Sequence, residues 1–526
     1  MLKWALIALL AVAVIVMGSI LALPWLLDTP AIQAYVQQWA GHALGRPVKF
    51  GGLSVTALPL PTVRLRDLQV AEDPAFGSTP FMTVAEGRMR IRLRSLLQGR
   101  VDLVNLTLEE PRIHVVEDAG GRLNVATLGG GGGPGPATPP RVGRGRPAAP
   151  AASAAPLTRI RVVNGAVDYE RAGRRVTVDH LDVTLTPSGG GLRAKGGAQG
   201  PGGLALTIAD ATVTLAPGRP VGDAQIRAVV DVETSDVAAA AAVLGAASGV
   251  SGPLKGRLDV SGTMSALTAS GTLGFDRLTL SRRDPECRGS RPRTLALADV
   301  RMPLLYAPAQ FESRSVQAKV AKGTVTFRLA VALGSPRVAT LRDIAVKGMQ
   351  LEPVLVDYLC QRNAVTGALD LTGESSLHWP GMLPTMSGSG RLSVGPGRVV
   401  GPDLPRALTR ALALTDLASA TLDPKAVRPG PDSALNFDSI TASYTMTDGV
   451  VRTDDLVYVA RNIRVTGAGT YALTDGRTAM DVTVSQGSNR VKARLTGAAG
   501  ALTIVPTDVR VKEPKELRKA LDRLLR

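Results

Sequence analysis

The sequence predicts a mainly β protein that follows one N-terminal transmembrane helix, and three observations predict it. Gly (57) and Pro (36) make up about 18 % of the 526 residues against an average nearer 12 %, so turns interrupt the chain too often for long helical bundles. Beyond residue 60 apolar side chains recur with period two. The first 27 residues hold a long run without a single charge. A chain with 45 % apolar and 20 % charged residues collapses rather than staying disordered, and 3 % aromatics cannot supply the girdles of an outer-membrane barrel. Its length suits roughly three domains or one long repetitive sheet.

Residues 1–27 are the expected anchor. Trp4 to Leu27 is a charge-free stretch of about 24 residues, longer as a helix than the roughly 30 Å of a bilayer core. Trp4 and Trp25 bracket it about 32 Å apart along a helix, which suits indoles at opposite interfaces. A cleaved secretory signal is the alternative, but its apolar region is usually about 7 to 15 residues and ends at a small-x-small site. Lys3 precedes the run and Arg46 is the first basic residue after it, so the N-terminus is expected in the cytoplasm and the body outside. In a bacterium this gives a single-pass inner-membrane protein with most of its chain in the periplasm. The net charge of +17 attracts phosphate, and an exported body meets lipid rather than nucleic acid. A GC-rich coding bias produces the same excess of Ala, Gly, Pro and Arg.

Residues 28–128 form a first β-rich region. Pro30 and the stripe Ile32, Tyr35, Val36 and Trp39 predict a short helix that stops near Gly41 or Gly45. Alternation follows at Val63–Arg66, Met89–Arg94, Val101–Leu103 and Leu106–Leu108. Residues 129–157 have the composition of a flexible linker. Residues 158–511 resume the alternation, with short helices expected over Ser235–Leu244 and Leu404–Leu417. Segments LVNLTLEEPRIHVV, LTRIRVVNGAVDYE and LRDIAVKGMQLEPVL share a form in which alternation breaks at Pro or Gly and restarts, as in repeated β-units. Residues 512–526 make a basic amphipathic helix with Leu517, Leu521, Leu524 and Leu525 on one side.

No motif points to catalysis, a cofactor or a metal. His42, His114, His180 and His378 lack ligand spacing, and Asp438, Asp448, Asp454 and Asp455 read as turn residues without the spacing of a calcium loop. The glycine runs lack the strand, helix and Lys-Ser/Thr context of a phosphate loop. Cys287 and Cys360 are too few for a disulfide framework or a thiolate zinc site, and leave one disulfide open.

Residues Gly45 to Val116, beginning GRPVKFGGLSVTALPLPTVRLRDLQV, and the later segments LEPVLVDYL, VTGALDLTGESSLHW, MSGSGRLSVGPGRVVGPDL and FDSITASYTMTDGVVRTDDLVYVARNIRVTGAGTYAL resemble the bacterial AsmA family. The resemblance implies a fold like that of chorein-type, bridge-like lipid transfer proteins: a long, curved antiparallel β-sheet forming a repeating groove with a chorein-like start and few short helices. It implies a non-enzymatic protein that carries phospholipid, anionic or zwitterionic, along an apolar groove to supply the outer membrane. The alternative is a factor that assists outer-membrane protein assembly or protein targeting to the membrane. Further contacts would then be the inner membrane and the outer membrane or its assembly machinery. Periodicity alone fits a groove and a closed sandwich equally, and the resemblance favours the groove. Its candidate lining is Leu103, Leu106, Leu108, Ile113, Val115, Val162, Val167, Val183, Phe327 and Leu329.

Overall fold

A computed structural model describes residues 34, 37–38, 40–41, 44–56, 62–91, 103–128, 158–171, 173–189, 191–214, 216, 221–243, 249–263, 266–283, 291–334, 337–361, 364–379, 383–401, 435–461, 463–486, 489–498 and 502–510. The anchor with Trp4 and Trp25, the linker 129–157, the helix expected over 404–417 and the basic helix 512–526 lie outside the described residues. Among the described residues no helix is long and apolar enough to cross a membrane. The protein is mainly β with few helices, and it divides into two compact units: Met1–Ser235 with Lys255–Ser270, and Asp236–Leu254 with Gly271–Arg526.

The first unit contains β1 (Val48–Lys49), β2 (Gly52–Thr56), β3 (Thr62–Val70), β4 (Met82–Ile91), β5 (Leu103–Glu109), β6 (Arg112–Glu117), β7 (Arg159–Arg171), β8 (Arg174–Ser188), β9 (Gly191–Gly200), β10 (Leu204–Thr214) and β11 (Gln225–Thr234). β1 and β2 pair with β3, and the sheet runs on through β4, then β5 and β6, then β7 to β11. The purely antiparallel sheet expected from the sequence is corrected at one place, because β7 runs parallel to both β5 and β6. The chain between Glu117 and Arg159 is long enough to return to the end from which β5 starts. Parallel neighbours require such a crossover, whereas hairpins allow only antiparallel ones.

Along β3, β4, β7 and β8 the alternation slips at nearby levels, and along β10 it slips nearer the end where β7 begins. Apolar side chains two residues apart are followed by an odd step from Leu65 to Leu68, Val84 to Gly87, Val162 to Val167, Val178 to Leu181 and Ile208 to Ala211. The ladder shifts register at these places in β7, β8 and β10. Asp67, Glu110, Asn164 and His180 adopt left-handed φ of 51°, 50°, 50° and 47° there, a region that Asp, Asn and His tolerate better than most residues. Extra residues of this kind bend a strand. Because neighbours slip together, the sheet creases without exchanging its faces.

On one side of the crease the apolar face is sealed. Val48, Val70, Phe81, Val125 and Leu128 are buried together, with Leu44, Leu68, Met82, Ile113 and Val115 packed against them. The first helix stops at the expected glycine: Gly45 takes φ 69° and the Arg46 N–H donates to the Gly41 carbonyl at 3.1 Å, a Schellman closure. This closure turns Arg46 inward, where it is 4 % exposed. One guanidinium nitrogen lies 2.9 Å from Glu72 Oε1. The other donates to the Asn124 carbonyl at 2.6 Å and to Thr127 Oγ1 at 2.7 Å. Asn124 Nδ2 donates to Glu72 Oε2 at 2.6 Å, its Oδ1 accepts from the Val116 N–H at 3.0 Å, and the Phe81 ring lies 4.7 Å from the guanidinium.

In the second unit β12 (Val250–Ser251) opens the order; β13 (Leu254–Thr263) and β14 (Ala266–Arg282) cover the stretch where the chain passes between the units. They are followed by β15 (Arg293–Ala307), β16 (Gln310–Val320), β17 (Gly323–Ala332), β18 (Arg337–Gln350), β19 (Ala364–Val365), β20 (Ala368–Trp379), β21 (Ser387–Val394), β22 (Gly397–Val400), β23 (Asn436–Phe437), β24 (Ser439–Thr447), β25 (Val450–Ala460), β26 (Ile463–Ala472), β27 (Thr478–Gln486), β28 (Asn489–Gly497) and β29 (Thr503–Arg510). β15 to β18, β20, β21 and β24 to β29 form an antiparallel meander. A small sheet of β19, β22 and β23 and the π-helix Glu352–Tyr358 accompany it. The Ala-rich helix expected over Ser235–Leu244 is present as Ala238–Val243, and the Ala238 N–H donates to Asp236 Oδ1 at 3.1 Å. Cys360 is disulfide-bonded.

Removing one partner of a buried ion pair strands the other charge. Arg46→Ala is therefore expected to destabilise the first unit by about 3 to 5 kcal/mol, while Arg46→Met with Glu72→Leu recovers most of the loss. Urea unfolding of the full-length variants measures both.

Candidate functional site

Directly opposite residues on neighbouring strands share a face, so the register shows which apolar side chains form one surface. In the first unit one row runs Val63, Met89, Leu106, Ile160, Leu185, Ala194, Ala211 and Ala228 across eight strands. A second runs beside it through Leu65, Gly87, Leu108, Val162, Val183, Gly196, Ile208 and Val230. Met89, Leu106, Leu108, Ile160, Val162, Val183, Leu185, Ile208 and Val230 are only half-buried. Among the described residues no helix or second sheet packs over β7, β8 and β9.

This surface is the inside of a curl. The turn Asn124–Thr127 follows β6 and sits on the apolar side, with Val125 in the buried cluster. The turn Val221–Asp223 precedes β11 at the opposite strand end, yet the two meet: a Cβ on Gly222 would stand 2.7 Å from Ala126 Cα. Turns at opposite ends of the strands can touch on the apolar side only if that face is concave.

The structure places the sequence-chosen residues in three settings. Leu106, Leu108, Val162 and Val183 belong to the two open rows. Ile113 lies opposite Val167, Val115 lies opposite Tyr169, and Ile113 and Val115 pack on the sealed cluster. Leu103 pairs with Ile91 at the start of β5, and its side chain lies outside the described residues. In the second unit Leu329 lies opposite Ser313 and Leu341, and Phe327 lies opposite Val316 where the ladder shifts. Sequence reasoning missed Met89 as a member of the same surface, because its place depends on register. The one available signal was its own alternation.

The second unit has comparable rows. Ala318, Val325, Val346, Leu371, Leu392 and Ala442 form one, and Met349, Leu369, Val394, Ile440, Tyr458, Val465, Val484 and Val491 form another. Part of this face is covered by Leu351, Leu355, Val399 and Phe437, and the Phe437 and Tyr458 rings lie 5.5 Å apart. Burial raises the Tyr458 phenol to about 12, with Asp438 adding to the effect. Partial burial and the hydrogen bond that it donates to Glu117 likewise hold the half-buried Tyr169 phenol at about 12.

The polar groups singled out in the sequence serve local structure. His114 Nε2 lies 3.3 Å from Glu170, His180 Nδ1 lies 3.1 Å from Asp179, His378 is on β20, and His42 is outside the described residues. Asp455 accepts from the Ser443 N–H and hydroxyl, both at 2.7 Å. Asp448 and Gly449, at φ 48° and 74°, make the hairpin between β24 and β25. Asp438 accepts from the Arg461 N–H at 2.9 Å. Among the described residues no three His, Cys, Asp or Glu side chains are placed to hold a metal.

Asp168 on β7 is the one buried carboxylate that joins β6, β7 and β8. Burial alone would raise its pKa, but the Thr177 hydroxyl donating at 2.6 Å and the Arg112 guanidinium at 3.0 Å outweigh it and hold the carboxyl below its ordinary 3.8.

Against known proteins, the AsmA family model matches residues 1–206, which bears out the resemblance drawn from the sequence. No curated protein and no solved structure matches the chain.

Two outcomes are expected. Gly222→Leu should lower the urea midpoint of the full chain, because a Cβ at that position would stand 2.7 Å from Ala126 Cα and force the two turns apart. A carboxyl with a depressed folded pKa stabilises fully above its unfolded pKa, and that contribution disappears as pH falls through the folded value. Asp168→Asn should therefore lower the urea midpoint at neutral pH and flatten its decline below about pH 4.

Proposed function

With the AsmA family matching residues 1–206, we propose that the protein is a periplasmic lipid carrier. Anchored in the inner membrane through residues 1–27, it shields the acyl chains of phospholipids on the concave apolar faces of its sheets and passes them toward the outer membrane without a chemical step. The observation that carries this reading is the pair of largely half-buried rows in the first unit, continuous over eight strands, with the Arg46 plug closing one side. Eight strands at roughly 4.8 Å spacing give about 34 Å of apolar floor. Each CH₂ withdrawn from water contributes about 0.8 kcal/mol, so an acyl chain gains far more from such a floor than from any single contact. The disulfide of Cys360 suits the oxidising periplasm.

The test is mass spectrometry of lipids extracted from the full chain after gentle purification from cell envelopes. Several phospholipids per chain are expected. Val162→Glu should lose most of them while keeping its urea midpoint within about 1 kcal/mol of the parent, because that position is half-buried. Val70→Glu, at a position 1 % exposed, should fail to fold. A folded, lipid-free parent protein would overturn the carrier reading in favour of a role in outer-membrane protein assembly.

A further inference from the structure

The outer, polar face of the first unit carries an ordered array of cations. Near the strand ends where β7 and β9 begin, Arg88 and Arg90 of β4, Arg159 and Arg161 of β7, and Arg193 and Lys195 of β9 form two ranks two residues apart. Arg227 of β11 extends the outer rank. The strands between them present neutral groups at the same level: Asn105 and Thr107 on β5, Thr184 and Thr186 on β8, Thr212 on β10. The register fixes the order as Arg90, Asn105, Arg159 and as Arg88, Thr107, Arg161, Thr184, Lys195, with Thr186, Arg193, Thr212, Arg227 continuing the outer rank. Cations thus recur at every second strand, about 9.6 Å apart, over about 29 Å from β4 to β11.

From β4 to β11 the neutral strands keep like charges from standing directly opposite one another, whereas Arg64 of β3 stands opposite Arg88 with Glu86 3.9 Å from it. Acidic strands would do so more favourably, and the second unit uses them: Lys319 pairs with Asp299 at 2.7 Å, Arg328 with Asp343 at 2.8 Å and Arg494 with Asp481 at 2.7 Å. Within the array Arg88 pairs with Glu86 and Glu109, and Arg193 with Asp210. Arg90, Arg159, Arg161, Lys195 and Arg227 are exposed and have no acidic partner among the described residues.

We propose that this array is a docking surface for an anionic phospholipid bilayer, so that the first unit lies along a membrane by this side. The array crosses the strands, along the axis about which the sheet curls. A convex surface meets a plane along just such a line. The neutral positions are Asn and Thr, with no aromatic ring to stack a base or sugar as nucleic-acid grooves provide, and evenly spaced exposed cations suit a fluid layer of phosphates. The proposal does not depend on what the apolar face holds.

The experiment uses the full chain in phosphatidylcholine nanodiscs on a surface, and measures capture of vesicles of phosphatidylcholine with and without phosphatidylglycerol. Capture should require phosphatidylglycerol and weaken as salt shortens the Debye length from about 10 Å at 0.1 M to about 3 Å at 1 M. Each neutralised cation should weaken it by about fivefold, and Gln at Arg90, Arg159, Arg161, Lys195 and Arg227 together by more than roughly 100-fold. Lys319→Gln, Arg328→Gln and Arg494→Gln combined, which lower the net charge in the second unit, should leave capture unchanged. If the fivefold variant loses its urea midpoint, Arg161→Glu and Lys195→Glu singly carry the test. Equal capture of zwitterionic vesicles, full capture by the neutralised protein, or retention of isolated cell-wall polymer in preference to vesicles would overturn the proposal.

Discussion

A strand that gains one residue presents every later side chain to the other face. The first unit depends on meeting this constraint, because its apolar surface is assembled from eight strands that each contribute only one or two side chains to a row. The slip after Leu65, Val84, Val162, Val178 and Ile208 would break that surface if it occurred in one strand alone. Occurring in successive strands at nearby levels, it bends the sheet and leaves the apolar side intact. The left-handed residues Asp67, Asn164 and His180 are where the backbone accommodates the extra length. Curvature and a continuous apolar face therefore come from the same local feature.

What lies on each side of the crease differs for an electrostatic reason. Toward Val48 and Val70 the face is covered, and the cover is fastened by a charge. Arg46 enters the interior because the Schellman closure at Gly45 points it there, where Glu72 balances its charge and the Asn124 carbonyl accepts from one guanidinium nitrogen. Such a node is costly to desolvate and contributes little net stability against an apolar substitute, but it tolerates few alternative packings. It ties the first helix to the turn Asn124–Thr127, and that turn reaches Gly222 across the concave side. On the other side of the crease nothing comparable is present among the described residues, and the apolar side chains stay half-buried. A sandwich core would have buried them.

The two polar faces follow different rules. In the second unit, and between β11 and β13 of the first, cations stand against carboxylates on neighbouring strands. Near the start of β7, from β4 to β11 of the first unit, neutral Thr and Asn positions alternate with basic ones, which limits repulsion while keeping positive potential. Both solutions are compatible with a folded sheet, so stability alone does not select between them.

The sequence by itself determined the β class, a helix end at Gly41 or Gly45, the helix near Ala238 and the interruption of alternation at Glu110–Pro111 and Asn164–Gly165, because each is written in neighbouring residues: a period of two, a glycine, an Ala run, a Pro or Gly break. It also carried the family resemblance of its first part. Only the tertiary structure decided which half of each apolar run is sealed and which is open, since Ile113 and Leu108 look alike in sequence and differ in what packs on them. It likewise decided that β7 runs parallel to β5 and β6, that Arg46 is buried, and that the R-x-R and R-x-K pairs of β4, β7 and β9 align. These depend on register between strands as far apart as Arg90 and Arg227, and register is a property of hydrogen-bonded neighbours that no single strand contains.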